Sequence, residues 1–367
     1  MEDEAGGGLD PVPDWPRPDR GRRGRGPYAR QGGERDSPRE AGEPRETYAA
    51  LDLGTNNCRL LVARPAGNGF RVIDAFSRII RLGEGISASG RISEAAIERA
   101  VSALSVCRDK MRHRHAGRAR LIATEACRAA ENGDEFRSRV LGEVGLDLEI
   151  IDRKTEASLA ATGCTPLIDP EVDGVILFDI GGGSSELVRL GPCTPMRRGP
   201  PGPSIQGWVS VPLGVVTLAE RHGGHHVTRE TFEAMIGEVA QRIAEFAAAH
   251  GGDLARMHLL GTSGTVTTIA GVYLKLPRYD RRRVDGCWLD DGQVTDVVQA
   301  LLDMSYEERV ANACIGPERA DLVLAGCAIL EAIRRAFPCE RLRVADRGLR
   351  EGMLVQMMRA DGVWGDR

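Results

Sequence analysis

The 367-residue sequence lacks an apolar run of the length that crosses a membrane, about 18 residues. It also lacks an excess of basic residues, and its net charge of -4 argues against a protein that mainly coats nucleic acid. No Cys-Xaa-Xaa-Cys pair occurs, and nine cysteines cannot form a complete set of internal disulfides. The N-terminus begins Met-Glu-Asp-Glu instead of with a basic and then apolar segment. We therefore expect a cytoplasmic protein with reduced thiols, no membrane partner and no specific nucleic-acid partner.

Aliphatic side chains are almost absent from residues 1–46, which consist largely of Gly, Pro, Arg, Asp and Glu. Such a segment cannot bury enough apolar surface to fold, so we predict a disordered N-terminal tail. Its Arg20–Gly26 stretch is compatible with a flexible basic arm that touches RNA or polyphosphate. The acidic residues that flank this stretch favour a plain solvated tail instead.

Two segments about 125 residues apart share one pattern. Each has an apolar strand, an Asp-Xaa-Gly turn with polar residues and a second apolar strand, over residues 48–63 and 174–190. Turns without Cβ atoms let backbone N–H groups converge on an anion. The strand-end carboxylates Asp52 and Asp179 would repel phosphate directly but suit a magnesium ion with its water shell. An isolated copy is also typical of an ordinary hairpin turn. Two matched copies predict a phosphate chain held between two lobes.

The remaining pattern is mixed α/β. A helix is predicted from about Ser93, as its N-cap, to His113, and another covers Lys154 to Gly163. A Pro- and Gly-rich segment at 191–207 predicts a long hairpin loop between strands 187–190 and 208–213. Each lobe opens with a β-meander followed by helices, which leaves a cleft where the two turns face each other.

Several separated motifs together resemble the exopolyphosphatase/guanosine pentaphosphate phosphohydrolase (Ppx/GppA) family in order and approximate spacing. They are Asp52-Leu-Gly-Thr-Asn-Asn57 with Arg59, Ala123-Thr-Glu-Ala-Cys-Arg128, Glu156-Ala157, Asp179-Ile-Gly-Gly-Gly-Ser-Ser-Glu186, Gly261-Thr-Ser-Gly-Thr265 and Arg347-Gly348 with Arg350-Glu-Gly352. The resemblance covers about residues 47–360. It implies an actin-like fold, with two ribonuclease H-like lobes around a central phosphate-binding cleft. It also implies magnesium-dependent hydrolysis of the terminal phosphate of polyphosphate or of pppGpp.

The resemblance places the catalytic glutamate at Glu156, where a first-turn glutamate favoured by the helix dipole is the alternative. Arg128 would fork onto the terminal phosphate, or form a solvent salt bridge. Asp52 and Asp179 would hold Mg²⁺ or another divalent cation, assisted by Glu186, whose alternative is an exposed strand position. The expected phosphate-binding residues form three loops: Gly54, Thr55, Asn56 and Asn57; Gly181, Gly182, Gly183 and Ser184; and Gly261, Thr262, Ser263, Gly264 and Thr265. The third loop is otherwise an ordinary helix entry, capped by Thr262 or Ser263.

The expected domains are a tail at 1–46, an actin-like domain I at 47–165 completed by a closing helix at about 349–361, and a domain II at 166–348. The chain resembles a short, two-domain form of the family, for which a homodimer is plausible. Thr55 and Asn57 stand where serines are commoner, and they keep the hydrogen-bonding capacity. Two competing functions stay open: a kinase or ATPase of the same fold, and a non-catalytic sensor of polyphosphate or alarmone.

Overall fold

The computed structural model describes residues 46–193 and 199–365. The predicted tail, apart from its last residue, and part of the predicted loop at 191–207 lie outside these residues. The strands are β1 Tyr48–Leu53, β2 Asn57–Ala66, β3 Gly69–Ile79, β4 Arg118–Ala123, β5 Glu149–Ile150, β6 Gly174–Ile180, β7 Ser185–Leu190, β8 Ile205–Val211, β9 Met257–Thr262, β10 Trp288–Asp290 and β11 Arg341–Ala345. The helices are α1 Ile86–Ser89, α2 Glu94–His113, α3 Glu125–Ala129, α4 Gly133–Val144, α5 Arg153–Cys164, α6 Val215–His222, α7 Arg229–His250, α8 Gly264–Tyr273, α9 Arg281–Val284, α10 Asp291–Asp303, α11 Tyr306–Ala311, α12 Val323–Ala336 and α13 Leu349–Ala360.

Two sheets of matching topology form the framework. The first has the strand order β3-β2-β1-β4-β5, and the second has the order β8-β7-β6-β9-β11-β10. In each sheet a three-stranded antiparallel meander leads into strands that run parallel to its first strand. The second sheet differs in its additional antiparallel edge strand β10. This repeat is the two-lobed, actin-like arrangement, and it confirms the predicted fold class. We call the first sheet with α1–α4 and α13 lobe I, and the second sheet with α6–α12 lobe II.

The two hairpins that carry the Asp-Xaa-Gly turns have the same register. Asp52 pairs with Arg59 across β1 and β2, and Asp179 pairs with Glu186 across β6 and β7. In both hairpins four residues lie between the two members of the last cross-strand pair, which is Leu53 with Cys58 in the first and Ile180 with Ser185 in the second. The repeated sequence pattern therefore folds into a repeated structure, which places two similar loops at equivalent ends of the two sheets.

The central strands are continuous hydrophobic runs because both of their faces are buried in apolar clusters. In lobe II, β6 has five fully buried residues in succession before Asp179. Helix α2 of lobe I begins as predicted, with the Ser93 hydroxyl accepting a hydrogen bond from the amide of Ala96. The predicted strand 208–213 is shifted in the structure, since β8 begins at Ile205 and ends at Val211. The described residues contain no helix that is long and apolar enough to cross a membrane.

Helices α5 and α13 cross closely at the base of the cleft. A Cβ atom on Gly163 would lie 2.9 Å from the amide nitrogen of Gly352, and the Cys164 thiol donates to the carbonyl of Arg347 at 3.3 Å. Helix α13 also packs on β1, and α5 packs on β7 and β8. These two helices therefore connect the two sheets, and the small residues at their crossing allow the close approach.

Candidate active site

A cleft between the two lobes brings together most of the residues that the sequence analysis singled out. Its lining includes Asp52, Gly54, Thr55, Asn56, Asn57, Glu156, Asp179, Gly181, Gly182, Gly183, Ser184, Glu186, Ser263, Gly264 and Thr265. Arg128 does not line this cavity directly, and neither do Gly261 and Thr262. The cleft therefore joins residues from four separate parts of the chain.

Backbone hydrogen bonds within the first loop, residues 54–57, and from residues 80–83 fix its conformation. The amide of Gly54 donates to the carbonyl of Asn57 at 2.9 Å, which closes the turn. The carbonyl of Asn56 accepts from the amides of Ile80 and Arg81, and the carbonyl of Thr55 accepts from Gly83. Among the described residues, the amides of Thr55 and Asn56 have no backbone acceptor, so these donors remain for an anion.

The second loop, residues 181–184, repeats this arrangement. The amide of Gly181 donates to the carbonyl of Ser184 at 2.9 Å, the same bond as in the first loop. The carbonyls of Gly181 and Gly182 accept from Val215 and Val216 at the start of α6. Within the described part of the chain, the amides of Gly182 and Gly183 donate to no backbone carbonyl. In each loop three of the four carbonyls thus accept hydrogen bonds from the protein, while amide donors stay available.

The two loops approach each other closely. A Cβ atom on Gly182 would lie 2.9 Å from Thr55 Cβ, and one on Gly183 would lie 2.8 Å from Thr55 Oγ1. The Gly183 position is also 3.2 Å from Cγ of Glu125. Only glycine fits at these two positions without displacing the opposite lobe, because real Cβ atoms do not come within 3.0 Å of such atoms. The structure therefore shows the cleft with its two loops in contact.

Three carboxylates lie on the floor of the cleft without ion-pair partners among the described residues: Asp52, Asp179 and Glu186. Burial raises the pKa of Asp52, against the lowering effect of Arg59 and Arg350. Burial and then the charge of Asp52 raise the pKa of Asp179 to about 6. Burial and then the charge of Asp179 raise the pKa of Glu186 to about 7. Because these carboxyl groups are buried close together, their ionised forms are poorly stabilised unless a cation binds there.

Glu186 is 3% exposed, so its interpretation as an exposed strand residue is wrong. Its Oε1 accepts hydrogen bonds from the hydroxyls of Ser184 and Ser210, both at 2.8 Å. The Ser184 hydroxyl, expected to contact phosphate, is thus bonded to Glu186 in this structure. In the described part of the chain no three acidic, His or Cys side chains converge closely enough to hold a metal ion by themselves. The donor set fits an ion that keeps several water ligands, as Mg²⁺ usually does.

Glu156 and Arg128 form a hydrogen-bonded pair beside the cleft. Glu156 lies in the first turn of α5, whose N-cap is Asp152, and its Oε2 accepts from Arg128 Nη2 at 3.0 Å. Burial and then the charge of Glu186 raise the pKa of Glu156 to about 9, although Arg128 opposes this shift. Glu156 is therefore not the ordinary ionised glutamate that its sequence position indicates, because its environment favours the protonated form.

Arg128 also donates to Glu125, by Nε at 3.0 Å and Nη2 at 2.5 Å, and to the carbonyl of Ile151 at 2.6 Å. Its side chain is 18% exposed, which excludes the alternative of a solvent salt bridge. Glu125 lines the cleft and receives a further bond from Arg153 at 2.8 Å. Glu125 is a residue that the sequence reasoning missed, although it lies inside the quoted Ala123–Arg128 motif. It orients Arg128 toward Glu156.

The third loop contributes its second half to the cleft. Ser263 precedes α8 with a backbone φ of 112°, a strained conformation for a residue with a side chain. Its hydroxyl is buried and has no hydrogen-bond partner among the residues that the structure describes. It is thus not an ordinary capping residue. Gly261 lies in β9 against Phe178, and the Thr262 hydroxyl donates to the carbonyl of Arg347 at 2.6 Å. An orphaned hydroxyl at a helix N-terminus suits an anion.

Three of the arginines that line the cleft or its continuation have no side-chain hydrogen bond or ion pair to any other described residue: Arg59, Arg319 and Arg350. Arg59 and Arg319 line the cleft, and all three line a cavity that continues from it past Asp52 and Asp179. Burial and then the neighbouring Arg59 lower the pKa of Arg319. No role was assigned to these residues from the sequence. Arg59 and Arg350 lie within the family motifs, whereas no sequence signal distinguishes Arg319 from the other arginines of the chain.

The comparisons with known proteins agree with this geometry. The model of the Ppx/GppA phosphatase family matches residues 61–361. The chain belongs to this family. Exopolyphosphatase 2 of Mycobacterium tuberculosis is 28% identical over 325 residues, which cover 84% of this chain and 98% of that protein. Guanosine-5'-triphosphate,3'-diphosphate pyrophosphatase of Photobacterium profundum is 27% identical over 323 residues, 85% of this chain but 59% of that protein.

The fold of the family is known from crystal structures. The family member from Aquifex aeolicus is 29% identical, with a TM-score of 0.71, and the match covers 87% of this chain and 99% of that one. The exopolyphosphatase from Cytophaga hutchinsonii is 23% identical with a TM-score of 0.75, and this likeness concerns the fold alone. The family, the fold and the cleft of this chain are thus mutually consistent.

Proposed function

We propose that this protein is a divalent-cation-dependent hydrolase that releases the terminal phosphate of inorganic polyphosphate, of pppGpp, or of both. The observation that carries the proposal is the pair of matching loops, 54–57 and 181–184, which face each other with available amide donors above unpaired carboxylates. Donors of this kind suit phosphate oxygens, and the carboxylates suit the cation that accompanies them. The relatives named for exopolyphosphatase and for pppGpp pyrophosphatase activity support the same reaction class.

The proposed cation site consists of Asp52 and Asp179, with Glu186 acting through a water molecule. A bound Mg²⁺ would neutralise these carboxylates and offset the charge of the phosphate oxygens. Glu186 contributes to the raised pKa of Glu156, so neutralising Glu186 also makes the ionised form of Glu156 more accessible. We assign no direct contact between Glu156 and the metal.

In the proposed reaction Glu156 accepts a proton from, or orients, the water that attacks the terminal phosphorus. Its raised pKa makes it a stronger base than an ordinary glutamate once it is ionised. Arg128 keeps Glu156 in place and lies near the site where negative charge develops on the terminal phosphate. The cavity with the unpaired Arg59, Arg319 and Arg350 accepts the remaining anionic part of the substrate.

Parallel assays of phosphate release from long-chain polyphosphate and from pppGpp, with Mg²⁺ and with a chelator, test the proposal. We expect release from at least one substrate, its loss on chelation and its loss in Asp179→Asn. A control variant is Asp303→Asn, which changes a 66% exposed carboxylate away from the cleft. Tight binding of both substrates without any phosphate release would contradict the hydrolase and favour a sensor.

A further inference from the structure

A polar contact joins the two lobes next to the first phosphate loop, at residues that do not line the cleft of the carboxylates. Arg81 of lobe I donates from Nη1 to Oδ2 of Asp321 at 3.0 Å and from Nη2 to Oδ1 at 3.2 Å. Nη2 also donates to the carbonyl of Glu318 at 3.2 Å. This two-pronged geometry holds a carboxylate in one orientation, which a single hydrogen bond does not. The side chain of Asp321 is 16% exposed, so water competes only partly for the contact.

On the lobe I side, this contact is connected to the first phosphate loop. The amides of Ile80 and Arg81 donate to the carbonyl of Asn56 at 2.8 and 3.1 Å. The backbone of Arg81 has a φ of 46°, in the left-handed region. Residues other than glycine adopt this region only when the surrounding structure enforces it. Arg99 on α2 supplies part of that enforcement, because it donates to the carbonyls of Ile80 and Arg81. A displacement of Arg81 would therefore move the loop that contains Asn56.

On the lobe II side, the contact is connected to the unpaired Arg319 of the cleft. Arg319 lies between the two acceptors of Arg81, the carbonyl of Glu318 and the carboxylate of Asp321. The buried Arg309, which is 2% exposed, holds this segment by donating to the carbonyl of Ala320 at 3.1 Å. Arg81 thus contacts the short segment that carries the Arg319 guanidinium to the cleft.

A second bond across the same gap involves the other phosphate loop. The amide of Gly85 in lobe I donates to Oε1 of Glu220 on α6 at 2.9 Å. In the first turn of α6, the amides of Val215 and Val216 donate hydrogen bonds to the carbonyls of Gly181 and Gly182. The Arg81–Asp321 contact therefore connects the first phosphate loop with lobe II, and the Gly85–Glu220 contact connects the second phosphate loop with lobe I.

We propose that Arg81 is a positioning residue of the phosphohydrolase reaction: with Asp321 it forms a latch that holds the cleft closed and sets Arg319 opposite the first phosphate loop. The latch lies apart from the α5–α13 crossing, so breaking it permits the lobes to separate while that crossing remains. This inference rests on the proposed function only for its kinetic consequence. The closure itself is a property of the substrate-free protein.

The kinetic test compares Arg81→Gln, Asp321→Asn and the double variant with wild type. Each single variant loses the partly exposed Arg81–Asp321 ion pair. From the usual strength of such a pair we expect a KM for phosphate release about three- to tenfold higher than in wild type, with kcat within about twofold. The double variant should be no worse than either single variant, because both lose the same contact. The exchanged pair Arg81→Asp with Asp321→Arg should recover part of the KM. The matched control is Arg229→Gln with Asp303→Asn, an exposed ion pair inside lobe II, and it should leave KM unchanged.

Hydrogen exchange of the substrate-free protein provides the readout that does not depend on activity. We expect the Asp321→Asn variant to exchange faster in peptides that cover residues 80–86 and 215–222, on both sides of the gap, with an unfolding midpoint close to that of wild type. Unchanged exchange in both peptides, or additive KM effects in the double variant, would overturn the latch even if the enzyme hydrolyses its substrates. If wild type releases no phosphate from either substrate, the proposed function fails, and the exchange data still decide on the latch.

Discussion

The contact between Thr55 and the second phosphate loop makes Gly183 a sensitive probe of cleft closure. An alanine at position 183 would place its Cβ 2.8 Å from Thr55 Oγ1, 3.2 Å from Glu125 Cγ and 3.4 Å from Thr55 Cγ2. Ordinary contacts of a Cβ atom lie at 3.4–4 Å, so the closest of these is too short by several tenths of an ångström. Overpacking of this kind costs about 1–3 kcal/mol, which corresponds to roughly a 5- to 150-fold loss in kcat/KM if the reaction requires the closed cleft.

The overlap in Gly183→Ala lies between the lobes and not inside either core. The lobes can therefore separate to relieve it, and we expect the unfolding midpoint to change by no more than about 2 °C. Steady-state phosphate release and thermal unfolding measure the two effects on the same preparation. Gly142→Ala is the matched control, because Gly142 lies in α4 and an added Cβ there would have no atom of residues 46–193 or 199–365 within 4 Å.

A second background tests the cause of the Gly183→Ala effect. In Thr55→Ala the hydroxyl and the methyl group that an added Cβ would meet are both removed, and Glu125 Cγ at 3.2 Å becomes the nearest remaining atom. Gly183→Ala should then cost clearly less in kcat/KM than it does with Thr55 present, since the two changes are coupled. An equal loss in both backgrounds would refute the explanation by contact across the cleft.

The other predictions concern charge. In the metal-free protein the pKa values of Asp179, Glu186 and Glu156 are raised to about 6, 7 and 9. Because the folded state binds more protons than the unfolded state, thermal melts should show stability falling as the pH rises from about 4 to about 9; a rise over that range would contradict the assignment. Mg²⁺ should raise the unfolding midpoint more at pH 8 than at pH 6, since it favours the ionised carboxylates, and Asp179→Asn should reduce this gain. Arg319→Gln should raise KM about tenfold with a smaller effect on kcat, as removal of a charged hydrogen bond to the substrate predicts; an unchanged KM would exclude Arg319 from binding.

The fold was predictable because its signals are local and repeated. Alternation of an apolar strand, Asp-Xaa-Gly and a second apolar strand predicts a hairpin without knowledge of the rest of the chain. The second copy at 174–190 then predicts the matching lobe. The N-cap Ser93 is equally local, since its hydroxyl bonds an amide three residues ahead. The start of β8 at Ile205 was not predicted, because its Pro- and Gly-rich flank hides where pairing with β7 begins.

The environment of the site residues was less predictable. The motifs predict that Glu156 and Arg128 belong to one site, but not that Glu125 and the carbonyl of Ile151 occupy most of the Arg128 donors. The raised pKa of Glu156 depends on burial and on Glu186, thirty positions away in sequence. The Arg81–Asp321 contact joins residues 240 positions apart. These contacts and the raised pKa arise from tertiary packing between distant segments, and no local sequence pattern indicates them. The individual roles of the site residues remain predictions.

The central claim is that Glu156 activates the water that attacks the terminal phosphate in this cleft. The most direct measurement is single-turnover phosphate release by wild type, Glu156→Gln and the control Glu131→Gln, whose carboxylate is 73% exposed. Each reaction uses saturating Mg²⁺ and the substrate that wild type prefers, with binding measured separately. We predict that Glu156→Gln binds the substrate with an affinity close to wild type and releases phosphate about 10²- to 10⁴-fold more slowly, while Glu131→Gln matches wild type. Release by Glu156→Gln at the wild-type rate would contradict the account.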